Sequence, residues 1–169
     1  MTTSADQRIR VMRERDATAV AALESRIFSD AWSAELFRES LAAPDGGGII
    51  IESGEGAQTR LIGYACYYSA AGETHLTNIA VSPESRRQGF AEQLLRRVFN
   101  RARESGSEAI FLEVRPSNTA ARQLYERRGF HVLYRRKRYY HDPCEDAIVY
   151  VCELEESVKR AVRPAPVSA

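Results

Sequence analysis

The chain has 169 residues, 44% of them apolar and 28% charged, with a formal net charge of +1. That length and composition suit one globular domain with a sizeable core, and the near-zero charge supplies no global field for nucleic acid or an anionic membrane. No apolar run reaches membrane-spanning length, the N-terminus lacks a signal-peptide core, and Cys66, Cys144 and Cys152 are too widely spaced for a metal site or a disulfide framework, so they read as free thiols in a reducing cytoplasm.

Residues 1–7 are polar and read as a frayed end. Residues 8–13 alternate, with Ile9 and Val11 opposed to their neighbours, and predict an edge strand. Asp16 is placed to cap a helix running to about Phe28, with Val20, Leu23 and Ile27 as its inner stripe. Ser33 is placed to cap a second helix, with Glu35 in its first turn and Leu36, Phe37 and Leu41 turned inward. Trp32 lies between the two, either as core packing or as a wall of a substrate groove. Residues 44–48 read as a turn. Residues 49–52 and 60–69 then predict a strand pair joined by residues 53–56, and residues 70–72 turn into a further strand that ends at Val81.

The loop that follows, Arg86-Arg-Gln-Gly-Phe-Ala91, carries the first chemical signal. It lies between a strand and a long helix whose apolar residues Ala91, Leu94, Leu95, Val98, Phe99 and Ala102 recur at spacings of three and four. Gly106 is a natural stop. A helix N-terminus has unpaired N–H groups and a positive dipole, and Gly89 lets backbone approach a ligand closely. Arg86 and Arg87 add charge that suits phosphate. The stretch is therefore either a pyrophosphate cradle or a plain turn before a solvated basic face. It is neither a Walker A loop nor a dinucleotide fingerprint, because the glycines and lysine those need are missing.

Residues 109–114 predict a short strand covered on both faces. The segment Pro116-Ser117-Asn118 starts another helix, with Ala120, Ala121, Leu124 and Tyr125 inward and Gly129 closing it. Residues 132–140 and 147–154 predict a final strand pair. The order is strand, two helices, three strands, helix, strand, helix, two strands. It predicts an α/β domain of three layers on a mixed sheet over residues 1–154. Residues 155–169 read as a disordered tail.

Glu113 interrupts the apolar strand Ile110-Phe-Leu-Glu-Val114. It is either a partner of Arg115 or another arginine, or a general base at a strand end. Tyr125 is either a core tyrosine or a proton donor to a basic leaving group. Asn118 is a helix cap by default. His75, His131 and His141 show no ligand spacing, and His75 is a spare candidate base beside the loop. No Gly-x-Ser-x-Gly or Cys–His signature is present.

Taken in order, Asn78-Ile-Ala-Val81, Arg86-Arg-Gln-Gly-Phe-Ala91, Leu112-Glu-Val-Arg115, Ser117-Asn118, Ala120-Ala121, Leu124-Tyr-Glu126, Gly129-Phe130, Arg138-Tyr-Tyr140 and Glu145-Asp-Ala147 resemble the GNAT acetyltransferase superfamily. Within it they resemble the bacterial N-terminal alanine acetyltransferases of the eighteenth small-subunit ribosomal protein. The resemblance runs from about residue 8 to 154. It implies the GNAT fold, a mixed sheet of about seven strands with about four helices, and acetyl-CoA as co-substrate with no metal. It implies a protein N-terminus as acceptor and no direct nucleic-acid or membrane partner. Residues Arg86, Arg87, Gln88, Gly89, Phe90, Ala91 and Glu92 would wrap the pyrophosphate. Ile79, Ala80 and Val81 would pair with the pantetheine arm, and Asn118 would also touch the cofactor. Glu113 matches the family's base, acting directly or through water, and Tyr125 its acid. Ala91 stands where many relatives have Gly, and Ala31 where they have Pro before the Trp. Lysine side chains, other N-termini, small amines, or acetyl-CoA binding without turnover are the alternative functions.

Overall fold

The computed structural model describes residues 7–154. Among these, seven strands form one mixed sheet: β1 (Gln7–Val11), β2 (Gly46–Ser53), β3 (Arg60–Ala70), β4 (Glu73–Val81), β5 (Ala109–Val114), β6 (His131–His141) and β7 (Cys144–Glu153). The order across the sheet is β1-β2-β3-β4-β5-β7-β6, so β7 slots between β5 and the outer strand β6. Four helices flank it: α1 (Ala17–Ser25), α2 (Ala34–Ala42), α3 (Phe90–Glu104) and α4 (Thr119–Arg127). The element order is the one the sequence predicts, and the architecture is the expected three-layer α/β sandwich.

Two cores follow from the two faces of the sheet. One packs Phe90, Leu94, Leu95, Val98 and Ala102 of α3, with Tyr125 of α4, on Ile110, Leu112, Val114, Ile148 and Tyr150. Burying each large apolar side chain of that set stabilises by about 1.5–3 kcal/mol. The other packs Val20, Leu23 and Phe37 on Ile50, Tyr64, Cys66 and Ala80. The period-2 burial of β5, with Ile110, Leu112 and Val114 buried, turns Phe111 and Glu113 to the opposite face.

Several boundaries differ from the expectations, each for a local reason. Residues 46–48 are strand rather than turn: a Cβ at Gly46 would stand 2.0 Å from the Ser40 carbonyl oxygen, and one at Gly47 would stand 2.7 Å from the Tyr67 ring. Glycine there marks β2 passing close beneath its neighbours. Asp16 occupies the N-cap of α1 without capping it. Its carboxylate instead accepts from the Arg13 N–H and from Arg10. Helix α1 ends at Ser25, short of Phe28, because Ile27 and Phe28 N–H both turn back to the Glu24 carbonyl. Ser33 caps α2 as expected, accepting from Leu36 N–H, but Leu36 itself is exposed. Just after the first strand Met12 takes the buried place, and Val11 at the strand's end faces solvent. Asn118 caps α4, which leaves Ala120 exposed outside the inner stripe. The final pair extends further than residues 132–140 and 147–154, because β6 and β7 meet in a tight connection at residues 142–143. The expected frayed end overlaps β1 at Gln7. The rest of that end and the expected tail lie outside the described residues.

Arg10 fastens β1 to the rest. Its guanidinium bonds both oxygens of Asp16 at 2.8 and 2.9 Å and both of Glu52 at 2.9 and 3.0 Å. The pairing holds the Asp16 carboxyl below its usual range. A carboxyl lowered in the fold contributes stability above its unfolded value, and that contribution disappears as pH falls through the folded value. Arg10→Met should therefore lower unfolding free energy by about 2 kcal/mol at pH 7. In denaturant titrations the difference should shrink as pH drops below about 4; a pH-independent difference would show that packing alone accounts for it.

Candidate active site

The site arises where two neighbouring strands part. β4 and β5 run parallel and pair only from Glu73 opposite Ala109 to Leu76 opposite Leu112. Beyond that point β4 stays with β3, Ala65 opposite Ile79 and Gly63 opposite Val81, while β5 stays with β7. A bulge helps them separate: Cys66 faces Asn78 and Tyr67 faces Leu76, so Thr77 is the extra residue, with its hydroxyl donating to the Cys66 carbonyl. The result is a cleft of about 150 Å³ whose walls include Thr77, Asn78, Ile79, Glu113, Asn118 and Tyr125. Among the described residues, the edge of β4 that faces the gap has no strand beside it from Thr77 onward.

At the far end of β4, a short 3-10 turn at Pro83–Ser85 leads into the basic loop. Arg87 has φ 60° and Gly89 φ 81°, so two residues of the loop are left-handed. Glycine tolerates this; for an arginine it is a strained conformation of the kind that clusters at binding sites. Gly89 is the N-cap of α3, whose first bond runs from Gln93 N–H to the Gly89 carbonyl at 3.1 Å. The preceding N–H groups are those a helix start leaves without intrahelical partners. Arg86 and Arg87 are exposed, and no ion pair joins either among the described residues. Gln88 donates to the Glu84 carbonyl at 3.5 Å. Phe90 is buried in the core, so only its backbone can face a ligand. Glu92, in the first turn of α3, pairs with Arg128.

Among the residues singled out in the sequence, Ile79, Glu113, Asn118 and Tyr125 meet in the cleft. Ala80 points into the opposite core, beneath α1 and α2. Glu113 is about a quarter exposed, and its Oε1 accepts from Arg136 Nη1 at 3.0 Å, so its ion-pair partner is Arg136 and not Arg115. The other oxygen carries no such bond among the described residues. Burial pushes the Tyr125 phenol well above its ordinary range, so at neutral pH it is a hydrogen-bond donor. Asn118 Oδ1 is occupied by the Ala121 N–H at 3.2 Å, leaving the amide nitrogen for other contacts. Trp32 packs its ring 5.3 Å from that of Phe37 and also lines the cleft. Burial pushes the Cys66 thiol up to about 12, which removes it as a nucleophile at neutral pH. No group of three or more His, Cys, Asp or Glu side chains is placed to hold a metal among the described residues.

The structure gives Arg115 and Glu24 roles that their sequence positions alone do not assign. Arg115 Nη2 donates to Asp30 at 3.1 Å and to the Asp142 carbonyl at 3.1 Å, its Nη1 donates to the Pro143 carbonyl at 2.9 Å, and it stacks 4.1 Å over Tyr140. One guanidinium thereby joins the end of β5, the α1–α2 connection and the β6–β7 connection around the cleft mouth. Glu24, on α1, reaches the cleft floor and receives the Asn78 side-chain amide at 2.8 Å. Its signal was present: Glu24 follows Val20 by four residues, on the inward stripe, where a carboxylate is out of place.

The acetyltransferase (GNAT) family model matches residues 17–130. A Bacillus subtilis (strain 168) protein, provisionally named a [ribosomal protein bS18]-alanine N-acetyltransferase, is 32% identical over 149 residues, 88% of this chain and 96% of that protein. The Escherichia coli (strain K12) [ribosomal protein bS18]-alanine N-acetyltransferase is 43% identical over 79 residues, 46% of this chain and 53% of that one, so this match spans about half of its length. The crystal structure of the Escherichia coli ribosomal-protein-S18-alanine N-acetyltransferase superposes with a TM-score of 0.80 at 26% identity, covering 97% of this chain and all of that one. A cleft between parting strands, a basic loop at a helix start and a matched stretch running from α1 through α4 agree, and the chain belongs to the acetyltransferase (GNAT) family.

Proposed function

We propose that the protein moves the acetyl group of acetyl-CoA to the α-amine of a protein N-terminal alanine, that of ribosomal protein bS18. The observation that carries this is the cleft itself. One rigid gap holds Glu113 and Tyr125 across from an unpaired strand edge, in a chain similar over nearly its whole length to a protein with that name. GNAT enzymes use acetyl-CoA. Here the pyrophosphate would lie on the N–H groups of residues 87–92, with Arg86 and Arg87 beside it. The pantetheine would add to the open edge of β4 at Ile79, Ala80 and Val81, satisfying backbone groups that β5 abandons. Asn118 would reach the cofactor through its free amide nitrogen.

Transfer is direct, in a ternary complex. An uncharged amine attacks the thioester carbon while an N–H near Val81 polarises the carbonyl oxygen. Glu113, positioned by its bond from Arg136, receives the amine proton directly or through a water. The C–S bond breaks and the sulfur leaves as a thiolate, which the Tyr125 phenol stabilises by donating its hydrogen. Because burial raises that phenol, it acts by hydrogen bonding to the developing charge and not by early ionisation. An α-amine near pKa 8 needs about 3 kcal/mol less than a lysine near 10.4 to be neutral at pH 7. A partly exposed carboxylate is accordingly better matched to an N-terminus than to a lysine side chain. Where the protein works in the cell is part of the same reading: cytoplasmic, where ribosomal proteins are made.

Two measurements test this. With a short peptide bearing a free N-terminal alanine, Glu113→Gln and Tyr125→Phe should each lower kcat by about 10²–10⁴-fold, while acetyl-CoA affinity stays near wild type. Unchanged kcat in both removes the mechanism, and equal turnover of blocked lysine peptides removes the acceptor. In calorimetry, Arg86→Ala combined with Arg87→Ala should weaken acetyl-CoA binding by about tenfold or more; equal affinity would show those arginines to be merely solvated.

A further inference from the structure

Three buried side-chain oxygens among the described residues lack a hydrogen-bond partner: Glu24 Oε2, Tyr64 Oη and Ser82 Oγ. Of these residues, only Glu24 lines the cleft. It is 2% exposed. Its Oε1 is fixed, accepting from Asn78 Nδ2 at 2.8 Å and from the Trp32 N–H at 3.4 Å. The carboxylate therefore cannot swing its second oxygen away to water. A buried acceptor left open costs the desolvation of that atom until something donates to it.

The kind of donor follows from charge. Three carboxylates line the cleft: Glu24, Asp30 and Glu113. Asp30 pairs with Arg115 and Glu113 with Arg136. Glu24 has only neutral donors, an amide and a backbone N–H. It is the carboxylate of the cleft without a cationic partner among the described residues. Burial pushes its carboxyl up, with Asp30 adding to the same direction, and a cation brought beside it would offset that cost. Glu24 also comes from α1, on the side of the sheet to which Phe111 and Glu113 turn, opposite the core beneath α3.

We propose, resting on the acyl-transfer reading above, that Glu24 is the seat of the acceptor's α-ammonium group, with Oε2 accepting from the cationic amine as it enters. The amine then loses its proton to Glu113 and attacks from a position Glu24 has fixed. Glu24 is thus an acceptor-recognition residue distinct from the base, and it makes a free N-terminus a requirement for binding as well as for chemistry.

The test is calorimetry on the full chain loaded with coenzyme A. The probes are a short peptide with a free N-terminal alanine and the same peptide with a propionyl group in place of that alanine, which lacks only the amine. Wild type should bind the amine peptide about tenfold or more tightly than the propionyl peptide. Glu24→Gln keeps the side-chain volume and the Oε1 bonds, and it should bring the two affinities together while coenzyme A affinity is unchanged. Glu113→Gln should retain the preference. An unaltered preference in Glu24→Gln overturns the assignment, and so does equal affinity in the wild type, which needs no variant. A Glu24-dependent gain on a blocked peptide carrying lysine overturns the α-amine assignment. Binding of neither peptide overturns the acceptor reading itself, and Glu24's role with it.

Discussion

The parting of β4 and β5 is the constraint on which the rest depends. Parallel neighbours ordinarily share hydrogen bonds along their common length, and here they stop at Leu76 and Leu112. Each strand is kept on its own course by its other partner, β3 on one side and β7 on the other. The two faces of the sheet are covered by helices. Exposed strand edges inside a cleft are otherwise unfavourable. In the proposed function, the pantetheine arm would supply the missing strand.

From that opening the division of labour follows. The basic loop and the start of α3 lie where β4 ends. Glu113 and Tyr125 arrive from β5 and α4, on the far wall. Glu24, Asp30 and Trp32 come from α1 and its connection to α2, on the side where an acceptor would enter. Arg115 ties the two connections at the mouth through Asp30 and the carbonyls of Asp142 and Pro143. In the proposed reaction, cofactor and acceptor would approach from different elements and meet in the gap.

Much of this was legible in the residues. The order of elements followed from hydrophobic period, and the basic loop stood out as a glycine and two arginines before an amphipathic helix. Glu113 drew notice because it breaks an apolar strand. The same logic applied to Glu24 on α1, but a single polar residue in a short helix of alanines is easily absorbed into its solvent face. Arg115 was visible only as a neighbour of Glu113, whereas its partners lie far away in the chain and owe their proximity to the fold. The glycine run at residues 46–48 misled because glycine signals either a turn or a tight crossing, and only tertiary contact decides between them. The splay itself left no local mark: a one-residue bulge at Thr77 looks like ordinary strand.

The outer strand β6 has a consequence beyond the site. It closes one end of the described sheet, and its middle is the run Arg135-Arg-Lys-Arg138, mostly turned to solvent. Arg136 and Lys137 are partly neutralised by Glu113 and Asp146. The other two are not joined to an acid among the ion pairs of the described residues. A second molecule offering its own sheet margin there meets like charge, which discourages the ribbon-to-ribbon association that an uncovered margin invites. That protection is electrostatic, so it weakens as counterions accumulate, and crowded, salt-rich solutions are where colloidal behaviour should change first.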